Sequence, residues 1–275
     1  MLFESIFMIR GGTFGTDFGL KLIMSIITIL ICIYDWKTND KRLDYLWVFL
    51  TGTLILIMGE VMMQSFGVRA IREKYLFGIN ITTWLWLSIP LQAISEAAYV
   101  AIIGVLFGDR IMKEESRKLW TSIFIIFLIS RFLIPSLVLV SMGYNFTNVN
   151  AGDPNIPSRR DLFQFGTVIS ISILSFIAIF WLAKTDSETR KRGLYTFFVM
   201  LIFSIAWTLS EWVIGQRWIE VGISNPGGTY SNLRRADPLL EFSALAYDTV
   251  IEMALAYTAF LAIPYLLKLI KSEND

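Results

Sequence analysis

Histidine is absent from the sequence, and cysteine occurs once, as Cys32. The first absence removes His-box di-iron oxygenases, His-Glu-x-x-His proteases, Ser-His-Asp hydrolases and His-ligated haem together, since each needs imidazole as ligand or base. The second excludes an intrachain disulfide. Charge is scarce too: Asp, Glu, Lys and Arg supply 17% of the residues, against about 25% in soluble domains. The net charge is +1, with basic residues scattered through loops, which gives no footprint for nucleic acid. No Walker, Rossmann or Gly-x-Ser-x-Gly motif appears, nor an aspartate-rich prenyl diphosphate motif. Asp35, Asp40 and Asp44 are too widely spaced for one and lie in a basic loop. Neither a cofactor nor a metal is expected.

What remains is apolar. Hydrophobic residues make up 55% of the chain, aromatics 15%, and the mean hydropathy is +0.59. A helix needs roughly 20 apolar residues to cross the hydrocarbon. Seven runs qualify, at about 17–34, 45–66, 83–107, 119–142, 162–183, 193–215 and 241–267. The expected fold is therefore an all-α polytopic membrane protein with seven transmembrane helices in a single transmembrane domain over residues 1–275. Met1–Thr16 has no apolar run followed by a small-residue cleavage site and reads as an amphipathic lead-in. Lys and Arg number thirteen in the loops after helices 1, 3 and 5 and the tail, against nine on the other side. This bias places the N-terminus outside and the C-terminus in the cytoplasm. Asn-x-Thr sequons at Asn80 and Asn145 then fall on the outer side.

Helices 2–3 and 6–7 share a sparse pattern. Glu60 ends helix 2 and is followed by Gly67, Asn80, Pro90-Leu91 and Glu96; Glu211 ends helix 6 and is followed by Gly222, Asn225, Pro238-Leu239 and Glu241. The echo suggests two parallel three-helix repeats joined by helix 4, an arrangement that places ligands at the repeat interface. Proline is common at helix starts, so chance could produce the same pattern.

Ionisable groups inside spans cost about 2.5–3.5 kcal/mol each on insertion scales and point to function or to a partner. Lys21, Glu60, Glu96, Glu211 and Glu241 lie in the outer third, with Asp248, Glu252 and Arg131 deeper. Gln92, Glu96 and Tyr99 share one helical stripe, Glu60 and Gln64 another, and Glu241, Asp248 and Glu252 a third. Helical rise sets Arg131 at a depth to meet Asp248 or Glu252, as a supporting ion pair that fixes packing. The outer group holds more acids than cations, and carboxylates so crowded cannot all ionise, so at least one stays protonated. Trp84, Trp86, Trp207, Trp212 and Trp218 read first as an interfacial belt.

Carbocation chemistry needs a carboxylic acid to protonate an alkene, aromatic faces to stabilise the cation and a base to remove a proton. Glu60, Glu96, Glu211 and Glu241 are the candidate catalytic acids and bases, with Glu96 the expected donor and Glu60 or Glu211 the acceptor. Gln64, Gln92, Tyr99, Trp207, Trp212 and Lys21 are candidate substrate-binding residues. The stretches from Glu60 through Pro90-Leu91-Gln92 to Glu96, and from Glu211 through Pro238-Leu239-Leu240-Glu241, resemble the helix-end acid and Pro-Leu-Glu-Glu helix start of repeated-domain lycopene cyclases and carotenoid hydratases. Gln92 and Leu240 replace an acid of that pattern. The resemblance implies a cofactor-independent lyase or isomerase of isoprenoid lipids, built from three-helix units. The expected partner is a membrane lipid or lipid-soluble small molecule, and a homo-oligomer is compatible with it. A proton-coupled small-solute transporter and a non-catalytic lipid-binding or receptor-like protein are the alternatives. A sealed acid-lined pocket suits the enzyme, and a path reaching both faces suits the carrier.

Overall fold

The computed structural model describes residues 4–10, 18–38, 42–66, 68–71, 73–143, 158–225 and 229–271. Gly67 of the internal echo, Asp40 and Lys41 of the first basic loop, Arg72 and the Asn145 sequon lie outside these residues.

Seven helices are long and apolar enough to cross a membrane: α1 (Phe18–Thr38), α2 (Asp44–Ser65), α3 (Leu85–Met112), α4 (Glu114–Ser141), α5 (Phe165–Lys184), α6 (Ser187–Val213) and α7 (Pro238–Leu266). Several outrun the apolar stretches that announce them, because a helix continues past the hydrocarbon wherever its carbonyls stay bonded. The charged segment 109–118 is thus helical on both sides of a break at the extended Lys113. Caps explain several starts. The Asp186 carboxylate accepts from the amides of Glu188 and Thr189, and Asp237 accepts from those of Leu239 and Leu240 just ahead of Pro238. Isoleucine, leucine and valine ring the outside of the bundle, including Leu30, Leu54, Ile126 and Val213, the surface that an apolar solvent demands. An aromatic core of Tyr99, Phe107, Phe132, Phe203 and Trp207 packs α3, α4 and α6 together.

The expectation of an all-helical chain is incomplete. Segments from the chain's start and from the loops after α2, α4 and α6 form a five-stranded antiparallel sheet at one end of the bundle. Its strands are β1 (Ser5–Arg10), β2 (Arg69–Ile71), β5 (Ser158–Asp161), β6 (Arg217–Asn225) and β7 (Thr229–Arg235), in the order β2-β5-β1-β6-β7, while β3 (Tyr75–Leu76) and β4 (Ile79–Asn80) form a separate hairpin. The supposed amphipathic lead-in is therefore the central strand. Phe7, Met8 and Ile9 of its apolar run are buried between two neighbours, and strands covered on both faces read as continuous apolar runs. β1, β2 and β5 come from the chain's start and two separate loops, and only β6 and β7 share a loop, across Asn225-Pro226-Gly227-Gly228.

Register fixes which way the sheet's side chains point. Arg160 stands opposite Arg69 and Met8, and Arg10 opposite Ser158 and Arg217. Cross-strand partners, and residues two apart, share a face. Arg69, Arg160, Arg10 and Arg217 therefore stand on one face, turned to the bundle, where they meet carboxylates of the helices. Phe7, Ile9 and Trp218 stand on the opposite face with Tyr230 and Leu233.

The helices beneath the sheet are not uniform. α3 widens to π-helical turns over Tyr99–Leu106, α4 over Ile129–Leu133 and α7 over Asp248–Ala256. Such wide turns are rare and cluster at functional sites. Glu241 precedes the wide turns of its helix and lies seven residues, about 10 Å of helix, before Asp248, so a shared stripe does not bring it to the same site. At the other end of the bundle, Arg192 of α6 donates to Asp109, Asp44 and the Tyr265 hydroxyl, each at 2.8 Å, which ties α2, α3, α6 and α7.

Candidate functional site

The site lies where the arginine face of the sheet meets the acidic ends of the helices. On the α6–α7 side, Arg217 opens β6 and is fully buried. It donates to Glu211 at 2.8 Å, to Asp248 at 3.0 Å and to the Thr208 hydroxyl at 2.9 Å. Arg160 reaches from β5 to Asp248 at 2.8 Å and Glu252 at 2.6 Å. Arg10, at the end of β1, lies 3.5 Å from Glu211 and 4.8 Å from the centroid of the Trp207 ring, a cation–π arrangement. Trp207 in turn donates its indole N–H to Glu211 at 2.5 Å.

On the α1–α3 side, Arg69 of β2 pairs with Glu60 and lies 3.7 Å from Glu96. Lys21 of α1 donates to Gln92 at 2.5 Å, Gln92 donates to Glu96, and the Tyr257 hydroxyl of α7 donates to Glu96 at 3.0 Å. Gln64 bonds Glu60 at 3.1 Å and accepts from Lys74 at 3.0 Å.

Outside the spans, the strand groups record their surroundings. Burial, with Arg217 beside it, draws Arg10 down to about 10 despite the help of Glu211. Burial would also lower Arg160, yet Glu252 and Asp248 more than reverse this, and its pKa is raised. These are the signatures of cations packed against cations at one point and against acids at the next.

The structure brings Glu60, Glu96, Glu211, Lys21, Gln64, Gln92, Tyr99, Trp207, Asp248 and Glu252 to this region. It separates Glu241, which accepts from the Trp212 indole at 2.8 Å at the exposed start of α7. Trp212, Trp84 and Trp86 are exposed, as a belt requires; Trp207 and Trp218 are buried and belong to the core and the sheet. Arg131 is displaced from its expected role. Asp248 and Glu252 take their cations from β5 and β6, while the Arg131 guanidinium lies 5.4 Å from the Phe132 ring centroid.

The expected surplus of acids disappears for the same reason. Each of Glu60, Glu96, Glu211, Asp248 and Glu252 meets at least one strand arginine. Arg10, Arg69, Arg160 and Arg217 carry the sequence only as loop charges. The available signal was their recurrence at the ends of apolar or β-branched runs, beside helices that bear unpaired acids.

A cavity of about 570 Å³ opens beside this network. Met58, Met62 and Phe66 of α2 and Phe165 and Ile173 of α5 line it and are exposed on the apolar belt, so it opens sideways between α2 and α5. Its inner end is polar: Arg10, Arg69, Arg160, Glu96, Tyr99, Asp248, Glu252 and Tyr257. Glu252 is 3% exposed, and its Oε1 accepts no hydrogen bond among the described residues. Among those residues no cluster of His, Cys, Asp and Glu is suited to hold a metal.

Fold and site together define a class: a multi-pass, seven-helix protein whose carboxylates are clasped by arginines of a sheet at one end of the bundle. Comparison of the chain with protein-family models, with curated proteins and with solved structures finds no match.

Proposed function

We propose that this protein is a membrane-embedded acid–base enzyme that draws a lipid-soluble substrate from the bilayer into the cavity between α2 and α5. The observation that carries the proposal is the shape of that cavity. It has methionine and phenylalanine walls open to the apolar belt, and at its inner end a buried carboxylate, Glu252, which lies beside the Asp248 carboxylate and has one oxygen that accepts from no donor among the described residues. An apolar cavity of this size with a few convergent polar groups is the general form of a small-molecule site. An isoprenoid chain fits the walls, in keeping with the resemblance to carotenoid cyclases and hydratases. The acid–base role passes from Glu60, Glu96 and Glu211, whose oxygens hold arginines, tryptophan, tyrosine and glutamine, to Glu252. Tyr257, whose hydroxyl donates to Glu96, and Tyr99 line the cavity with it.

The orientation read from loop charges, N-terminus outside, puts the sheet and the site at the outer leaflet. Two parallel repeats joined by α4 receive support from one further likeness. Glu60 pairs with Arg69 at the start of β2, and Glu211 pairs with Arg217 at the start of β6. A carrier is less well supported, because the cavity's lining ends at Ile55, Leu174, Met200 and Met253, while Val48, Phe49, Val105 and Phe260 beyond it are tightly buried.

The test is mass spectrometry of lipids extracted from protein purified in mild detergent, wild type against Glu252→Gln. The expected result is a lipid and its altered product with the wild type, and the unaltered lipid alone with the variant. One unaltered lipid from both would leave a binding protein without turnover. Bulk phospholipid alone from both would remove the ligand site altogether.

A further inference from the structure

A second, much smaller void adjoins the inner end of the cavity. It has about 30 Å³ and is lined by Arg10, Lys21, Arg69, Arg160, Gln92, Ser158, Met8 and Ile71. Met8, Arg10, Arg69 and Arg160 line both spaces, so the void continues the cavity under the sheet. Among the described residues, no carboxylate lines it. The acids that pair with its arginines are outside that lining: Glu60 and Glu96 on Arg69, Asp248 and Glu252 on Arg160, Glu211 on Arg10.

We infer that this void receives the anionic head of the lipid-soluble ligand, a phosphate or carboxylate group, while its apolar tail lies along the methionine and phenylalanine walls of the cavity. The inference rests on reading the cavity as the site of a lipid-soluble ligand, and it adds the charge and size of the head. Four cationic side chains, Arg10, Lys21, Arg69 and Arg160, line one small space, a lining suited to an anion and not to a cation. The lowered pKa of Arg10, buried beside Arg217 and Arg160, agrees with this. Arg160 is itself more than nine-tenths buried, and its Nε has no hydrogen-bond partner among the described residues, a donor left for a ligand oxygen. Lys21 and the Gln92 amide add polar groups from the helix side, and the Ser158 hydroxyl adds one from β5. Size narrows the class. A water needs about 10–15 Å³ of such space, so the void holds one compact group and not a sugar or a choline.

The experiment measures binding to the purified full chain by quenching of tryptophan fluorescence, using dodecyl phosphate, dodecanol, inorganic phosphate and dodecyltrimethylammonium as probes. Dodecyl phosphate is expected to bind at least about tenfold tighter than each of the others, the effect of a charge-assisted hydrogen bond in a buried site. Arg10→Gln, at the least buried of the strand arginines near the void, is expected to shrink the preference for the phosphate over the alcohol several-fold. Binding of dodecanol as tight as that of dodecyl phosphate would overturn the anionic head and leave the lipid-ligand reading standing. Inorganic phosphate binding as tightly as dodecyl phosphate would overturn the tail, and that reading with it. Tightest binding of the ammonium probe would overturn the sign of the charge. No binding by any probe would overturn both.

Discussion

Replacing Arg217 with glutamine tests whether the sheet is held to the bundle by its arginines. Arg217 is fully buried and holds Glu211 at 2.8 Å and Asp248 at 3.0 Å. Removing one partner of a buried pair costs about 3–5 kcal/mol, because the other charge is left uncompensated. Here both acids keep a second cation, Arg10 at 3.5 Å from Glu211 and Arg160 at 2.8 Å from Asp248. The loss should therefore fall near the lower end, about 3 kcal/mol. At about 2–4 °C per kcal/mol for a domain of 150–250 residues, the midpoint should drop by about 6–12 °C. Thermal melts in mild detergent, followed by tryptophan fluorescence, give the shift directly, since Trp207 lies 5.6 Å from the Arg217 guanidinium. Arg217→Gln combined with Asp248→Asn should recover at least about 1 kcal/mol of the summed losses, as contacting residues do in a double-mutant cycle. A single-variant shift below about 2 °C, or strictly additive losses, would refute the clasp.

Further predictions concern the cavity mouth, the helix packing and the strand charges. Gly59 lines the cavity, and a Cβ there would meet nothing within 4 Å. Gly59→Trp should leave the melting midpoint within about 2 °C, as an open surface position allows, yet cut the lipid recovered with the protein by more than about tenfold. Gly193 of α6 is the opposite case: an added Cβ would lie 2.6 Å from both Leu182 and Trp181. Gly193→Ala should cost about 1–3 kcal/mol by overpacking, read as a lowered midpoint. Asp161 of β5 has its pKa raised, chiefly by burial. The folded chain thus holds this proton more tightly than the unfolded one, and ionisation penalises the folded state above the folded pKa. That penalty fades as pH falls and is gone below the unfolded value of about 3.9. Asp161→Asn keeps an oxygen for the Phe163 amide, now bonded at 3.1 Å. It should raise the midpoint at pH 7 and leave it unchanged below about pH 4.

The helices were legible because hydrocarbon leaves the chain little choice. Twenty consecutive apolar residues have one way to satisfy their backbone in lipid, and the expected and observed spans differ mainly where charged ends extend the helices. The sheet was not legible, because its partners come from loops far apart in sequence: Phe7 pairs with Asp161 on one side and Glu220 on the other. Nothing local in Ser5–Arg10 reveals such partners. The same gap misled the reading of the site. Glu60, Glu96, Glu211, Asp248 and Glu252 were recognisable as anomalies inside spans, but the search for their cations stayed within the spans and reached Arg131. The actual cations, Arg69, Arg160, Arg10 and Arg217, had been counted as topology signals in the loops. Helical spacing puts Glu241 on the stripe of Asp248 and Glu252 but says nothing of depth, and about 10 Å of helix leaves Glu241 at the start of α7 with Trp212.

The division of charges between the two layers has a physical logic. Carboxylates on α2, α3, α6 and α7 lie within apolar helices, Glu252 about midway along α7, where an unpaired charge is costly. The arginines sit on strands at one end of the bundle, outside the seven apolar helices, so the helices themselves do not carry them. Pairing is completed only when β1, β2, β5 and β6 assemble over the helix ends, and each strand meets a different set of acids. Arg69 reads α2 and α3, Arg160 reads α7, and Arg217 reads α6 and α7. Docking the sheet therefore fixes the relative positions of these helices, a specifying role for buried charge rather than a source of net stability. The lateral cavity opens along α2 and α5, and α5 brings no carboxylate to the clasp. A ligand can enter along that side without breaking an ion pair, and at the inner end it meets Arg10, Arg69 and Arg160 together with Glu96, Asp248 and Glu252.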